Sequence, residues 1–180
     1  MKLDTIVTQP VIASERFDLR PLLASDAGLI ELNVSDARVA MYTSSIPHPL
    51  PPGTTEALIA RATADDRVED FWAMDGRKSD RDEVMGVISL TRMDRNQSEF
   101  DYWVAPAYWN TGVASAAVSA LIEANPQKCN TFFASVFQDN AVSARVLTNC
   151  GFQYLGDAES FSVARGAKVP TWTYSYRLSQ

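Results

Sequence analysis

With 180 residues, 46% of them hydrophobic and 21% charged, the chain has the size and balance of one ordinary globular domain, which excludes disordered, collagen-like and small disulfide-scaffold classes. A net charge of −6 and a sequence pI near 4.7 repel phosphate backbones and attract cationic amines, so no nucleic-acid partner is expected. No apolar run nears the roughly 20 residues of a membrane span, and the N-terminal decapeptide lacks a signal peptide's apolar stretch; a cytoplasmic protein with no membrane partner is the expectation.

Cys129 and Cys150 are too few for a disulfide framework and form no metal-ligand spacing, so both are expected as buried thiols and no metal site is expected. The elements begin with Arg16–Arg20, an alternating strand stopped by Pro21. Ser25 is placed to cap a short helix through Leu29, Ile30 and Leu32, and a second short helix is expected around Asp36–Met41. Four prolines between Ile46 and Gly53 forbid regular structure there, and a helix follows from Thr54 to about Ala64.

Phe71–Met74, Val84–Thr91 and Glu99–Val104 read as three strands joined by polar turns, an antiparallel meander. The pattern then turns to Ala-rich helix chemistry from Gly112 to Ala124. Thr131–Phe137 is apolar enough for a strand covered on both faces. Asn140 caps a helix running to Asn149, with Gly151 at its C′ position. Strands near Phe152–Leu155 and Trp172–Leu178, separated by a polar loop, close the chain. A meander followed by strand–helix alternation predicts an α+β fold, α/β by a looser definition, in which a mixed sheet is covered by helices.

The junction from Tyr102 to Ser115 carries the most chemistry. A strand ends, a turn follows, and a helix starts on small residues, exposing backbone N–H groups and the positive end of the helix dipole. Gly112 carries no Cβ to hold a diphosphate away, Ala114 and Ser115 keep the approach open, and Ser115 adds a hydroxyl. The same glycine also suits a tight strand-to-helix turn that binds nothing.

Trp109-x-x-Gly112-x-Ala114-Ser115 resembles the acyl-CoA pyrophosphate loop of the GNAT acetyltransferases, in the form of the Rim-type ribosomal-protein N-terminal acetyltransferase branch. Glu15–Leu22 resembles that branch's opening strand, Ile46–Pro49 its proline loop, Met85–Leu90 its third strand, Glu99–Trp103 its fourth, and Asn140-x-x-Ser143 with Gly151-Phe152 the helix beside the cofactor's thiol. Asn110 stands where that branch usually has Gly, Asp101 replaces another Gly, and Asn149 stands where Lys is common.

The resemblance implies a mainly antiparallel GNAT-like central sheet flanked by helices, acetyl-CoA as cosubstrate, and a primary amine as acceptor. The acceptor would be a peptide N-terminus or an amine-bearing small molecule, and the family suggests a homodimer. A degenerate fold that binds acyl-CoA without turnover is the third reading. The implied cofactor contacts are Val104, Ala105, Trp109, Asn110, Thr111, Gly112, Val113, Ala114, Ser115, Asn140 and Ser143.

Acetyl transfer needs a neutral amine, a polarised thioester carbonyl and a proton for the departing thiolate. On a strand, Glu99, Asp101 and Trp103 share one face and Phe100, Tyr102 and Val104 the other. If the odd face lines the acceptor cleft, Glu99 is the resemblance-based base, and repulsion from Asp101 would raise one carboxyl pKa; the alternative is a solvated face of surface charges. Ser143 is the resemblance-based proton donor to the thiolate or thiol-positioning hydroxyl, with Tyr102 and Tyr108 as substitutes, although a helix serine can equally bond its own backbone. The oxyanion donor is expected at the N–H of Val104 or Ala105. His48 reads as a loop or acceptor-wall side chain, and the four tryptophans read as core or cleft packing.

Overall fold

The computed structural model describes residues 9–178. Their eight strands form one sheet in the order β1-β2-β3-β4-β5-β6-β8-β7. In chain order these are β1 (Ile12–Ala13), β2 (Asp18–Pro21), β3 (Glu69–Asp75), β4 (Gly86–Met93), β5 (Gln97–Val104), β6 (Thr131–Phe137), β7 (Gln153–Ser162) and β8 (Ala167–Arg177). The helices are α1 (Ala27–Val34), α2 (Ala37–Ala40), α3 (Thr54–Ala62), α4 (Val113–Ala124) and α5 (Ala141–Asn149). Every neighbouring pair is antiparallel except β5 and β6.

Period-two alternation sorts the strands' apolar residues onto two faces. Trp72 and Met74 of β3, Ile88 and Leu90 of β4 and Phe100 of β5 pack with Val118 and Leu121 of α4 and Leu147 of α5. Phe71, Ala73, Val87 and Trp103 pack instead with Ile30 and Val34 of α1 and Ile59 of α3. Strands covered on both sides carry continuous apolar runs, as Phe71–Met74 does. Gly86 is required sterically, because a Cβ there would collide with the Trp103 carbonyl oxygen of the adjacent strand.

Several boundaries differ from the sequence reading, each for a local reason. Ser25 does not cap the first helix: it lies in a 3-10 turn, Ala24–Asp26, that leads into α1, where the Asp26 carboxylate accepts the Leu23 N–H at 2.7 Å while pairing with buried Arg20 at 2.9 Å. Strand β3 begins at Glu69, because the Arg67 and Arg92 side chains compensate Asp70 and Thr91 bonds Glu69. The expected polar loop before Trp172 is instead most of a long β7–β8 hairpin turning at Val163–Gly166. Strand β7 lies at the sheet's edge, so its outer residues can be polar and its pattern is weak. Cys150 is half-buried rather than buried, its Sγ 3.6 Å from the Ser115 carbonyl oxygen, whereas Cys129 is buried. No helix among the described residues is long and apolar enough to cross a membrane.

Candidate active site

The site is built where β5 and β6 part. Their parallel ladder joins only Gln97–Phe100 to Thr131–Ala134, whereas β4 and β5 pair along eight residues. The Ala105 N–H donates to the Met85 carbonyl at 2.8 Å, continuing the β4 ladder. Odd residues of β5 therefore bond to β4, and even residues turn their backbone groups toward β6. Ala105 is thus excluded as the oxyanion donor, because its N–H is committed. Tyr102 and Val104 present N–H groups beyond the last β6 partner, and the Val104 carbonyl accepts the Trp109 indole N–H at 2.7 Å.

On the α4 side of this opening lies the loop 109–112. Gly112 sits at φ 82° and Asn110 at φ 60°, both left-handed. Asn is among the few residues that visit that region readily, which explains how it replaces a glycine there. Gly112 makes no side-chain cap, so the first N–H groups of α4, from Val113 to Ser115, remain open at the positive end of the dipole. Thr111 uses its hydroxyl on the Tyr108 carbonyl. Trp109 is 40% exposed, a cover over the loop rather than core packing. Sequence reasoning missed Arg16, whose guanidinium donates to the Thr111 carbonyl at 3.1 Å and lies beside Gly112. Arg38, paired with Asp36, stacks 5.5 Å over the Trp109 ring. Uncommitted N–H groups with cations at their border fit a diphosphate.

Helix α5 meets the same opening. The Asn140 side-chain oxygen Oδ1 accepts the Ser143 N–H at 3.3 Å, capping the helix, and its Nδ2 donates to Ser143 Oγ at 3.0 Å. Ser143 therefore takes its hydrogen bond from Asn140 rather than giving one to its own helix backbone. Tyr102 projects toward it from β5; burial pushes the phenol up and Ser143 pulls it partly back, while its hydroxyl closes no hydrogen bond.

The odd face of β5 lines a cleft of about 330 Å³. Cross-strand register sets Glu69, Thr91 and Glu99 in one row and Phe71, Ser89 and Asp101 in the next. Glu69 was not legible as a site residue, yet it is a third carboxylate in this cleft. Its carboxyl is pushed up by burial, against hydrogen bonding from Thr91. Glu99 is pushed up by burial and then by Glu69. Asp101, ringed by protein but open to the cleft's water, is raised to about 7 by desolvation and then by Glu69, against hydrogen bonding from the Tyr102 backbone N–H, with a further push from Glu99.

The cleft's roof, residues 41–46, is tied across the opening to the β7–β8 turn. Val163 N donates to the Ser44 carbonyl at 3.0 Å, and Arg165 Nε to the Met41 carbonyl at 2.8 Å. The Arg165 guanidinium also pairs with Asp139 at 2.6 Å and lies 4.9 Å from the Phe137 ring centroid. His48, in the proline loop, is not among the residues that line the cleft.

Residues 16–153 match the acetyltransferase (GNAT) domain model. The chain belongs to the GNAT acetyltransferase family. It is accordingly an acyltransferase that draws on acetyl-CoA. It is 26% identical over 175 residues to an uncharacterised N-acetyltransferase, YoaA, of Bacillus subtilis, covering 92% of this chain and 96% of that protein. Among solved structures, the microcin C7 self-immunity acetyltransferase MccE, in complex with acetyl-CoA and AMP, superposes with a TM-score of 0.79 at 15% identity, over 92% of this chain and 94% of that one. RimL, a ribosomal L7/L12 α-N-protein acetyltransferase in complex with coenzyme A, gives 0.79 at 16%, over 94% and 98%. These GNAT likenesses agree with the mixed, mainly antiparallel sheet and with the Rim-type resemblance.

Proposed function

We propose that this GNAT enzyme acetylates a primary amine held in the β3–β5 cleft, by direct attack of the amine on acetyl-CoA. The observation that carries the reading is the placement of Glu99 and Asp101 on the acceptor face of β5, beside the gap between β5 and β6. Loop 109–115 would hold the diphosphate, the Val104 N–H the thioester oxygen, and Asn140 with Ser143 the thiol end.

Asp101, one row nearer the gap than Glu99 and half-ionised near neutral pH, shares the base role with Glu99. Together they take the proton whose loss frees the nitrogen lone pair. As the N–C bond forms and the C–S bond breaks, the second carboxylate takes the second proton from the nitrogen, and Ser143, with Tyr102 beside it, passes its hydroxyl proton to the leaving sulfur and recovers one from water. The pinned roof supports a small amine over the N-terminus of a folded protein, because such a chain end would have to pass beneath residues 41–46.

Thiol release from acetyl-CoA across a panel of small amines and N-terminal peptides tests this directly. Turnover with small amines is expected. Binding of acetyl-CoA, seen as a rise in Tm, without turnover on any amine would overturn it in favour of a non-catalytic module.

A further inference from the structure

A base for one amine needs one carboxylate, or two that share a proton, yet three enter this cleft. Glu69 lies in the same row as Glu99, two strands away, and Asp101 lies two residues along from Glu99. Sheet geometry spaces those backbone positions by roughly 10 Å and roughly 7 Å. The Glu69 carboxylate accepts the Thr91 hydroxyl at 3.1 Å, which holds it between the two strands on the row that leads to Glu99.

Among the described residues that line the cleft, one cation, exposed Arg61, stands against these three acids, and its attraction reaches Glu69. Among the described residues no three acidic, His or Cys side chains converge as metal ligands do. Their arrangement matches separated positive charges instead. A second observation comes from the opposite wall. Thr171 on β8 is 1% exposed and lines the same cleft, and its hydroxyl has no hydrogen-bond partner. A buried hydroxyl without a partner is costly, and an N–H donor on the acceptor would satisfy it.

We infer that the acceptor is a small dication or polycation, whose second ammonium sits on Glu69, a short aliphatic spacer from the nitrogen that Asp101 and Glu99 deprotonate. This rests on the amine-acetylation reading above. Acetylating one nitrogen removes one of the two positive charges, so the product loses the pairing that held the substrate. The reaction should therefore stop at one acetyl group.

The test compares diaminobutane with n-butylamine and an N-terminal peptide, each with acetyl-CoA, in the intact chain and in Glu69→Gln. The diamine is expected to show at least tenfold higher kcat/KM than the monoamine, a KM that rises steeply with salt, and a mono-acetylated product by mass spectrometry. Glu69→Gln is expected to lower kcat/KM for the diamine at least tenfold more than for the monoamine, mostly through KM. A retained acetyl-CoA-induced Tm rise would show that the variant is folded, and the salt dependence needs no variant. Equal kcat/KM for diamine and monoamine, or equal losses in Glu69→Gln, overturns the second ammonium. Turnover of peptides alone overturns it while leaving amine acetylation standing. No turnover of any acceptor brings down both.

Discussion

The loop 109–115 follows the C-terminal end of the strand whose odd residues line the cleft, and the electrostatics of the two regions are opposite. The loop offers uncapped N–H groups with Arg16 and Arg38 at its border. The cleft offers Glu69, Glu99 and Asp101. A net charge of −6 predicts neither region, because it averages over both. The difference teaches that charge is segregated by face of the sheet: period-two alternation sends the odd side chains of β5 to the acidic cleft and packs Phe100 and Tyr102 with the core beside α4 and α5.

The strongest challenge to this contrast is Asp101→Asn. If the acidic side does the proton chemistry, kcat/KM falls by about 100-fold or more, the acid limb of the pH profile near 7 disappears, and the acetyl-CoA-induced Tm rise stays. Stability moves the other way. Asp101 binds its proton more tightly folded than unfolded, so folding loses stability as pH climbs from the ordinary 3.8 toward about 7. The Asn variant escapes that loss, and its Tm advantage should be largest above pH 7. An intact pH limb would move the base elsewhere.

Next in size, Gly112→Val strains the cofactor side alone. A β-branched residue at φ 82° costs about 1–2 kcal/mol of stability and is expected to weaken acetyl-CoA binding about tenfold by calorimetric titration, a factor worth about 1.4 kcal/mol. Acceptor KM should hardly change. Glu99→Gln should cost about tenfold in turnover, less than a lone general base would, because Asp101 remains to carry the shared role. By removing a negative neighbour it lowers the Asp101 pKa, so the acid limb shifts to lower pH. An upward shift would contradict the repulsion between them.

Arg16→Ala is expected to weaken acetyl-CoA binding about threefold and flatten its salt dependence, as an exposed charge does. The smallest effect belongs to Asn110→Gly. Relief of the left-handed backbone offsets the extra freedom of the unfolded chain, so Tm and acetyl-CoA affinity should both stay close to wild type. A marked gain in affinity would show that Asn110 handicaps the loop.

Much of this contrast is legible in the sequence because it is local. The loop's small residues are contiguous, and Glu99, Asp101 and Trp103 declare their shared face by spacing alone. Asn140 shows its capping role through its place before a helix. The missing parts are nonlocal or break a propensity. Arg16 reaches Thr111 from 95 positions away, and no pattern at Arg16 signals it. Glu69 opens a strand on two acids, a poor strand signal, and becomes a site residue only through register with Thr91 and Glu99. Ala105 looked equivalent to Val104 until the β4 ladder assigned its N–H to Met85. Thr171 sits in the hairpin that polar residues disguised as a loop.

The short β5–β6 ladder has a mechanical consequence. Four paired residues join a five-stranded half of the sheet to a three-stranded half whose own pairings are longer. Such a seam is where amide protons should exchange first by sub-global opening. A bound pantetheine arm lying along the seam would act as a removable strand, stitching the halves together. Slowed exchange at both β5 and β6, spreading to β8, would then report occupancy of the gap rather than chemistry, and the enzyme would loosen each time its spent carrier departs.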